Sequence, residues 1–259
     1  MSCQQTRQKF KEVFNDYEEF DLSEEYKFND IIKKRSLYQW RHLCGYGEAC
    51  KIENKSETIL LPWSFTDDSG KLEPKLKDAC ELFRKLQLID RDQKSIPHIR
   101  GFVFGSEKES FGFVFNYIPE ESTTLPEFLG KDYSENQLLT IILGVANGLK
   151  AMHDVEIVLD WILPVKMKYQ LRLPTRIKGA PADRMRWYAP EYSDNLNDSK
   201  SNIWQFGMVL YVYEKPEKPS KMTKFQEELW KLCERCWTKP EERPTMSDMV
   251  GDLNSLKEV

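Results

Sequence analysis

Cys233 and Cys236 stand at the C-x-x-C spacing of a redox pair or of half a zinc site. Gly45 and Gly47 form a pair that serves either a tight turn or the close approach of backbone to phosphate. Lys166, Lys168, Arg172, Arg176 and Lys178 form a basic run with no acid between them, a solvated cationic surface or a docking face for an anion or acidic partner. The three histidines, His42, His98 and His153, are too dispersed for a catalytic or metal cluster. No second C-x-x-C and no paired histidines exist to complete a zinc site. Leu229, Leu232, Cys233 and Cys236 share one face at helical spacing, so both thiols are expected to be buried and reduced.

These residues sit in a chain of 259 residues, 40% hydrophobic and 31% charged, long enough for one large domain or two modest lobes. Lys and Arg number 38 against 42 Asp and Glu, for a formal charge of −4. That balance does not favour nucleic acid or an anionic membrane as partner. Six scattered cysteines are not a secreted disulfide framework. No run approaches the roughly 20 apolar residues of a bilayer span, and no secretory leader opens the chain, so a cytoplasmic location is expected.

Residues 1–34 read as an acidic and aromatic extension. Between Tyr38 and Tyr117, short runs of β-type composition occur at Glu57 to Leu61, Gly101 to Phe104 and Gly112 to Tyr117. Leu76 to Leu88 carries apolar residues at helical spacing. Residues 35–117 therefore predict a small sheet bearing one helix. The second half is helical in pattern. Ser134 and Gln137 form a capping box that opens an apolar-periodic segment from Leu138 to Met152. Further helices are expected near Asn202 to Tyr213, Phe225 to Cys236 and Ser247 to Leu256, the last announced by Pro244-Thr245.

The order of these signatures resembles the protein kinase family, nearest to its tyrosine-kinase and tyrosine-kinase-like branches. Gly45-Tyr46-Gly47 stands where a glycine-rich loop would. Val114 to Pro119 looks like the strand and hinge between lobes, with Phe115 as gatekeeper. Ile141 to His153, followed by Ile157-Val158, is similar to the helix leading into a catalytic loop. Trp187-Tyr188-Ala189-Pro190-Glu191 resembles the end of an activation segment and Asn202 to Gly207 a central large-lobe helix. Cys236-Trp237, Pro240 and Glu242-Arg243-Pro244-Thr245 match the closing helices. The resemblance covers roughly residues 38 to 257. It implies an α+β, bilobal protein kinase-like fold, with a β-rich small lobe over 35–117 and a helical large lobe over 118–259. That large lobe is shortened after its central helix, where Glu214 to Pro219 replaces a longer segment.

Carried over residue by residue, the catalytic set is missing. Phosphoryl transfer needs backbone over the phosphates, a lysine to hold them, oxygen ligands for magnesium and an aspartate for the attacking hydroxyl. Cys50 replaces the third glycine. Pro62 or Trp63 stands where the phosphate-gripping lysine belongs, and no lysine occurs between Lys55 and Lys71. The partner glutamate's position falls on Ala79 or Asp78. Leu159-Asp160-Trp161 occupies the catalytic motif, putting Trp161 in place of the base. Downstream, Leu163 and Lys166, or Ile162 and Val165 in a shifted register, replace the lysine and asparagine. Leu173-Pro174-Thr175 is the nearest slot for the magnesium-binding motif. Independent of register, Trp161 to Ala182 contains no Asp, Glu or Asn, the side chains that suit hard magnesium.

Residues of structural use are kept. Glu191 and Arg243 match the family's buried ion pair, and Trp204, Phe206 and Gly207 its large-lobe core. The aspartate that braces the family's catalytic loop is replaced by Asn202, which is consistent with a loop that no longer needs positioning. The resemblance thus implies a pseudokinase with no catalytic, cofactor or metal residues, a degenerate ATP site and no cofactor. It would act by binding another signalling protein, foremost an active kinase, as scaffold, regulator or decoy. Leu143 to Leu149 is similar to the mixed-lineage-kinase-domain-like pseudokinases of necroptosis, which carry a helical bundle for which these 259 residues leave no room. A stand-alone mimic of these would sequester their upstream kinase. The rival from another class is an unorthodox kinase using Asp160 as a shifted base. Nucleotide binding without metal, through the basic run, stays open.

Overall fold

The computed structural model describes residues 8, 12, 25–26, 31–33, 50–52, 58–64, 81, 84–89, 95–96, 99–104, 110–116, 133–159, 189–191, 198–211 and 220–258. The chain divides into two compact units. One comprises Met1–Asp92 with Ile96–Ser122, the other Gln93–Ser95 with Thr123–Val259.

Among the described residues of the first unit the backbone traces six strands: β1 (Glu25–Tyr26), β2 (Ile31–Lys33), β3 (Cys50–Ile52), β4 (Thr58–Ser64), β5 (Ile99–Phe104) and β6 (Ser110–Asn116). Four of them pair in the order β1-β5-β6-β4, and β2 pairs with β3 alone. The β4–β6 ladder is antiparallel from Thr58 opposite Asn116 to Ser64 opposite Ser110. Its register places Pro62 opposite Gly112, on a strand at the end of the four-stranded order. Proline has no N–H for the ladder, so an edge strand is where it is tolerated. The β5–β6 ladder is antiparallel with an irregularity between Ile99 and Gly101, while β1 runs parallel to β5. Residues 84–87 are helical, with Leu86 and Ile89 buried and Leu88 exposed.

The described residues of the second unit form four helices: α1 (Glu135–Asp154), α2 (Ser199–Tyr211), α3 (Lys224–Cys236) and α4 (Met246–Ser255). Short 3-10 turns lie at Pro240–Glu242 and Leu256–Glu258. Each start has a local cause. Ser134 Oγ accepts from Gln137 N at 3.2 Å while Gln137 Oε1 accepts from Ser134 N at 2.9 Å, the capping box expected for α1. Thr223 with Gln226, and Thr245 with Asp248, repeat the device for α3 and α4. The Thr245 N–H holds the Asp248 carboxyl below the usual carboxylate range. Such caps are worth about 1 kcal/mol each. At α2, Asp198 Oδ1 accepts from Ser201 N at 2.8 Å.

The end of α1 is equally defined. Glu156 N donates to His153 O at 3.0 Å and Ile157 N to Met152 O at 2.8 Å, with Glu156 at φ 59°. This pair of bonds across a left-handed residue is a Schellman stop, and buried Ile157 completes it.

The helices bury their apolar stripes against one another. Helix α1 packs on α4 and α2 on α3. Leu139, Ile142 and Ala146 of α1 join Ile203 and Phe206 of α2, Cys233 and Cys236 of α3, and Met249 and Leu253 of α4 in one core. Burying side chains of this size contributes about 1.5–3 kcal/mol each before entropy is counted.

This corrects the expected fold class. Residues placed with their side chains are 73% helical and none of them lies in a strand. Every member of the packed core comes from a helix. An α+β, bilobal kinase-like fold with a β-rich small lobe is therefore not what the packed side chains define; they define a four-helix assembly. The physical reason lies in the signals read. Short apolar runs between residues 38 and 117 carry β-type composition, a context-dependent preference that says little about which segments supply a core. The 3.6-residue periodicities of the second half each fix a buried face, and those faces meet.

Candidate functional site

Two polar nodes are built into the helical unit. The first centres on Arg243, whose side chain is 1% exposed. Its Nη1 donates to Glu191 Oε1 and its Nη2 to Glu191 Oε2 at 2.9 Å, a bidentate pair. Nε donates to Thr238 O at 2.9 Å, and Nη1 also reaches Lys200 O at 3.1 Å. Lys200 Nζ in turn donates to Arg243 O at 2.5 Å. The guanidinium carbon lies 5.1 Å from the Trp204 ring centre, within cation–π range. Four acceptors thus surround one planar donor fork, a geometry that lysine's point charge cannot match. The hydrogen bonds from Arg243 hold the Glu191 carboxyl below the usual carboxylate range, against the opposing effect of burial. The ion pair expected between these two residues is thus present and bidentate.

The second node is Asn202, fully buried near the start of α2. Its Oδ1 accepts from Leu159 N at 2.9 Å, and its Nδ2 donates to Leu159 O at 2.5 Å. His153 Nε2 stands 3.1 Å from the same Oδ1. That oxygen accepts from Leu159, so the imidazole nitrogen facing it is the protonated one. Burial lowers the His153 pKa, opposed by the bond to Asn202 and by Asp154, which favours the neutral ring. The expectation that Asn202 marks a loop no longer positioned is corrected here: Leu159 is held by both its N–H and its C=O. An asparagine offers both a donor and an acceptor, and that pair is the signal for such a bracket in the sequence.

The C-x-x-C lies inside α3. Cys233 is 1% exposed and Cys236 is fully buried, with Cys236 Sγ 3.8 Å from Met249 Sδ. Burial pushes the Cys236 thiol up to about 12, and burial together with the neighbouring Cys236 pushes Cys233 well above its ordinary value. Neither is a ready thiolate. The expected outcome is a native-state reaction with a thiol reagent slowed on the order of a thousandfold relative to a free thiol. The measurement uses a variant in which Cys3, Cys44, Cys50 and Cys80 are serine; labelling at the free-thiol rate would contradict the burial. Among the described residues no three His, Cys, Asp or Glu side chains gather where a metal could sit.

Other residues on which the sequence reading turned lie outside the described residues: the glycine pair Gly45 and Gly47, Asp78 and Ala79, Asp160 and Trp161, Leu173 to Thr175, and the basic run from Lys166 to Lys178. Cys50 begins β3, Pro62 and Trp63 lie on β4 and Phe115 on β6. Among the described residues no helix is long and apolar enough to cross a membrane. Compared with protein-family models, the chain matches none. Compared with curated proteins, it likewise gives no match.

Proposed function

We propose that this chain is a pseudokinase without phosphoryl-transfer activity, acting by protein–protein binding. The partner is another signalling protein, foremost an active protein kinase, and the chain serves as scaffold, allosteric regulator or decoy in the cytoplasm. The single observation that carries the reading is the stretch from Trp161 to Ala182, which holds no Asp, Glu or Asn. A transferase of this kind needs carboxylate or amide oxygens for magnesium in that stretch. The bidentate Glu191–Arg243 pair supports the resemblance to the family's framework, because it stands where that family has a structural ion pair.

Melting the protein with ATP, with and without magnesium, tests this. No magnesium-dependent rise in Tm is expected, because a ligand stabilises only in proportion to its binding to the folded state. A magnesium-dependent rise, joined by phosphate transfer that Asp160→Ala abolishes, would overturn the proposal in favour of an unorthodox kinase. Binding is read separately: a purified tagged chain should capture a protein kinase from cytosol. If Arg172 and Arg176 are reversed in charge and capture is unchanged, the basic run is a solvated surface.

A further inference from the structure

We propose that β1 is a strap held in cis on the outer edge of β5, and that the edge it covers takes the β5 edge of a second copy of this chain once the strap is released. In the order β1-β5-β6-β4, β5 has β6 on one side and β1 on the other. Strand β5 is six residues long, yet β1 pairs with it at only two places, Glu25 with Phe102 and Tyr26 with Val103. A sheet edge offers a row of unpaired N–H and C=O groups to any extended chain, and short, charged edge strands protect against this. Strand β1 has both properties. It is two residues long, carries Glu25, and is flanked in sequence by Glu24 and Lys27. The strand it covers has neither. From Gly101 to Phe104, β5 reads Gly-Phe-Val-Phe, without charge or proline and rich in residue types that suit a pleated surface.

The edge itself indicates a second copy as its occupant. About a twofold axis, one segment pairs with itself in antiparallel. Centred between Phe102 and Val103, that pairing sets Gly101 opposite Phe104 and Phe102 opposite Val103, so no like charges meet. The irregularity between Ile99 and Gly101 bounds the run. There β5 carries one residue more than β6, and a bulge of this kind leaves Arg100 out of the ladder and bends the strand. A two-residue ladder is by itself a weak hold. It prevails because residues 27–30 alone join β1 to β2. A tether that short gives the strap a local concentration in the millimolar range, about a thousandfold above that of a second chain at micromolar concentration. The strap thus excludes a second copy while pairing and tether are intact, and yields when either is broken. None of this rests on the pseudokinase reading.

Sedimentation of the full chain over about 1–100 μM tests the proposal in two forms. In the first, Glu25→Pro and Tyr26→Pro together remove the strap's N–H donors. The mass of this variant should rise with concentration toward twice that of wild type. A peptide of residues Phe20 to Asp30, added at about 1 mM, should return it to the wild-type mass. The same peptide carrying both prolines should not. In the second form, a protease site inserted between Phe28 and Asn29 leaves the strap unaltered while the protein folds. The mass should match wild type before cleavage and rise toward double after it.

The proposal is overturned if the cleaved form keeps the wild-type mass. It is overturned equally if the released chain binds the peptide yet stays at that mass, because the edge then accepts a strand but not a second copy. Association that the peptide fails to reverse would place the contact on another surface and would also overturn it. The proline variant is read only where it melts cooperatively as wild type does. Where it does not, the cleaved form alone decides.

Discussion

Replacing Glu191 with alanine is expected to destabilise the helical unit by about 3 kcal/mol, near the lower end of the range for breaking a buried ion pair from one side. The loss comes from what remains. Arg243 is 1% exposed and cannot turn to water, so its guanidinium keeps Thr238 O and Lys200 O but loses both charge-assisted bonds. Glu191 is 32% exposed, and that partial solvation limits how much the pair contributed. Arg243→Lys keeps the positive charge and is nonetheless expected to lose about 2–3 kcal/mol, because one ammonium cannot serve four acceptors placed around a planar fork. Denaturant midpoints for the two variants check this. A neutral Arg243→Lys would mean that charge alone matters at the node. The acid dependence follows in sign. The folded-state pKa of Glu191 is lowered, so the stability it brings is present above its unfolded value and is lost as pH falls through the folded one. Glu191→Ala should remove that part of the acid sensitivity.

How far the sequence reached can be judged at particular residues. Three of the four helices were legible to within two residues at their starts, because apolar residues at 3.6 spacing and a cap such as Ser134 with Gln137 are local signals. Helix α2 was legible in its body but begins three residues earlier than expected, at Ser199, where Asp198 supplies the cap. The Glu191–Arg243 pair, 52 residues apart, was legible only through a resemblance, since nothing local joins those positions. The weight given to a β-rich half failed. Composition such as that of Gly112 to Tyr117 marks a segment that suits a pleated surface but carries no information on whether a core is built upon it. Asn202 failed for a different reason. Loss of a carboxylate speaks of charge alone, whereas the buried environment of Asn202 needs one donor and one acceptor, and the complement is the N–H and C=O of Leu159, 43 residues away in sequence.

Gly207→Ala should be the most damaging small substitution in the helical unit, at about 3 kcal/mol or more. In the interior of a helix such a change ordinarily gains about 1 kcal/mol, because alanine loses less entropy on folding than glycine. Here packing reverses the sign. A Cβ on Gly207 would stand 2.6 Å from Cys236 Cβ, 2.8 Å from Trp237 Nε1 and 3.2 Å from Trp237 Cδ1, against the 3.5–4.0 Å or so of an unstrained carbon contact. The Cys236 Cβ is anchored directly to the α3 backbone, so no rotamer change relieves the overlap. Helix α3 itself must move away from α2, opening the contacts of fully buried Phe206 and Cys236. Gly144 and Gly251 provide the contrast: a Cβ at either meets nothing within 4 Å. Gly144→Ala and Gly251→Ala should each therefore raise stability by up to about 1 kcal/mol. The three variants differ by one methyl group each and are compared by denaturant midpoint. Cys236→Gly in the Gly207→Ala background removes the nearest clashing atom, so the two changes should couple favourably in a double-mutant cycle. Additive losses would show that the damage comes from elsewhere than the approach of α2 to α3. Gly207 holds its place because of the distance between two helices, a property that no window of sequence around it contains.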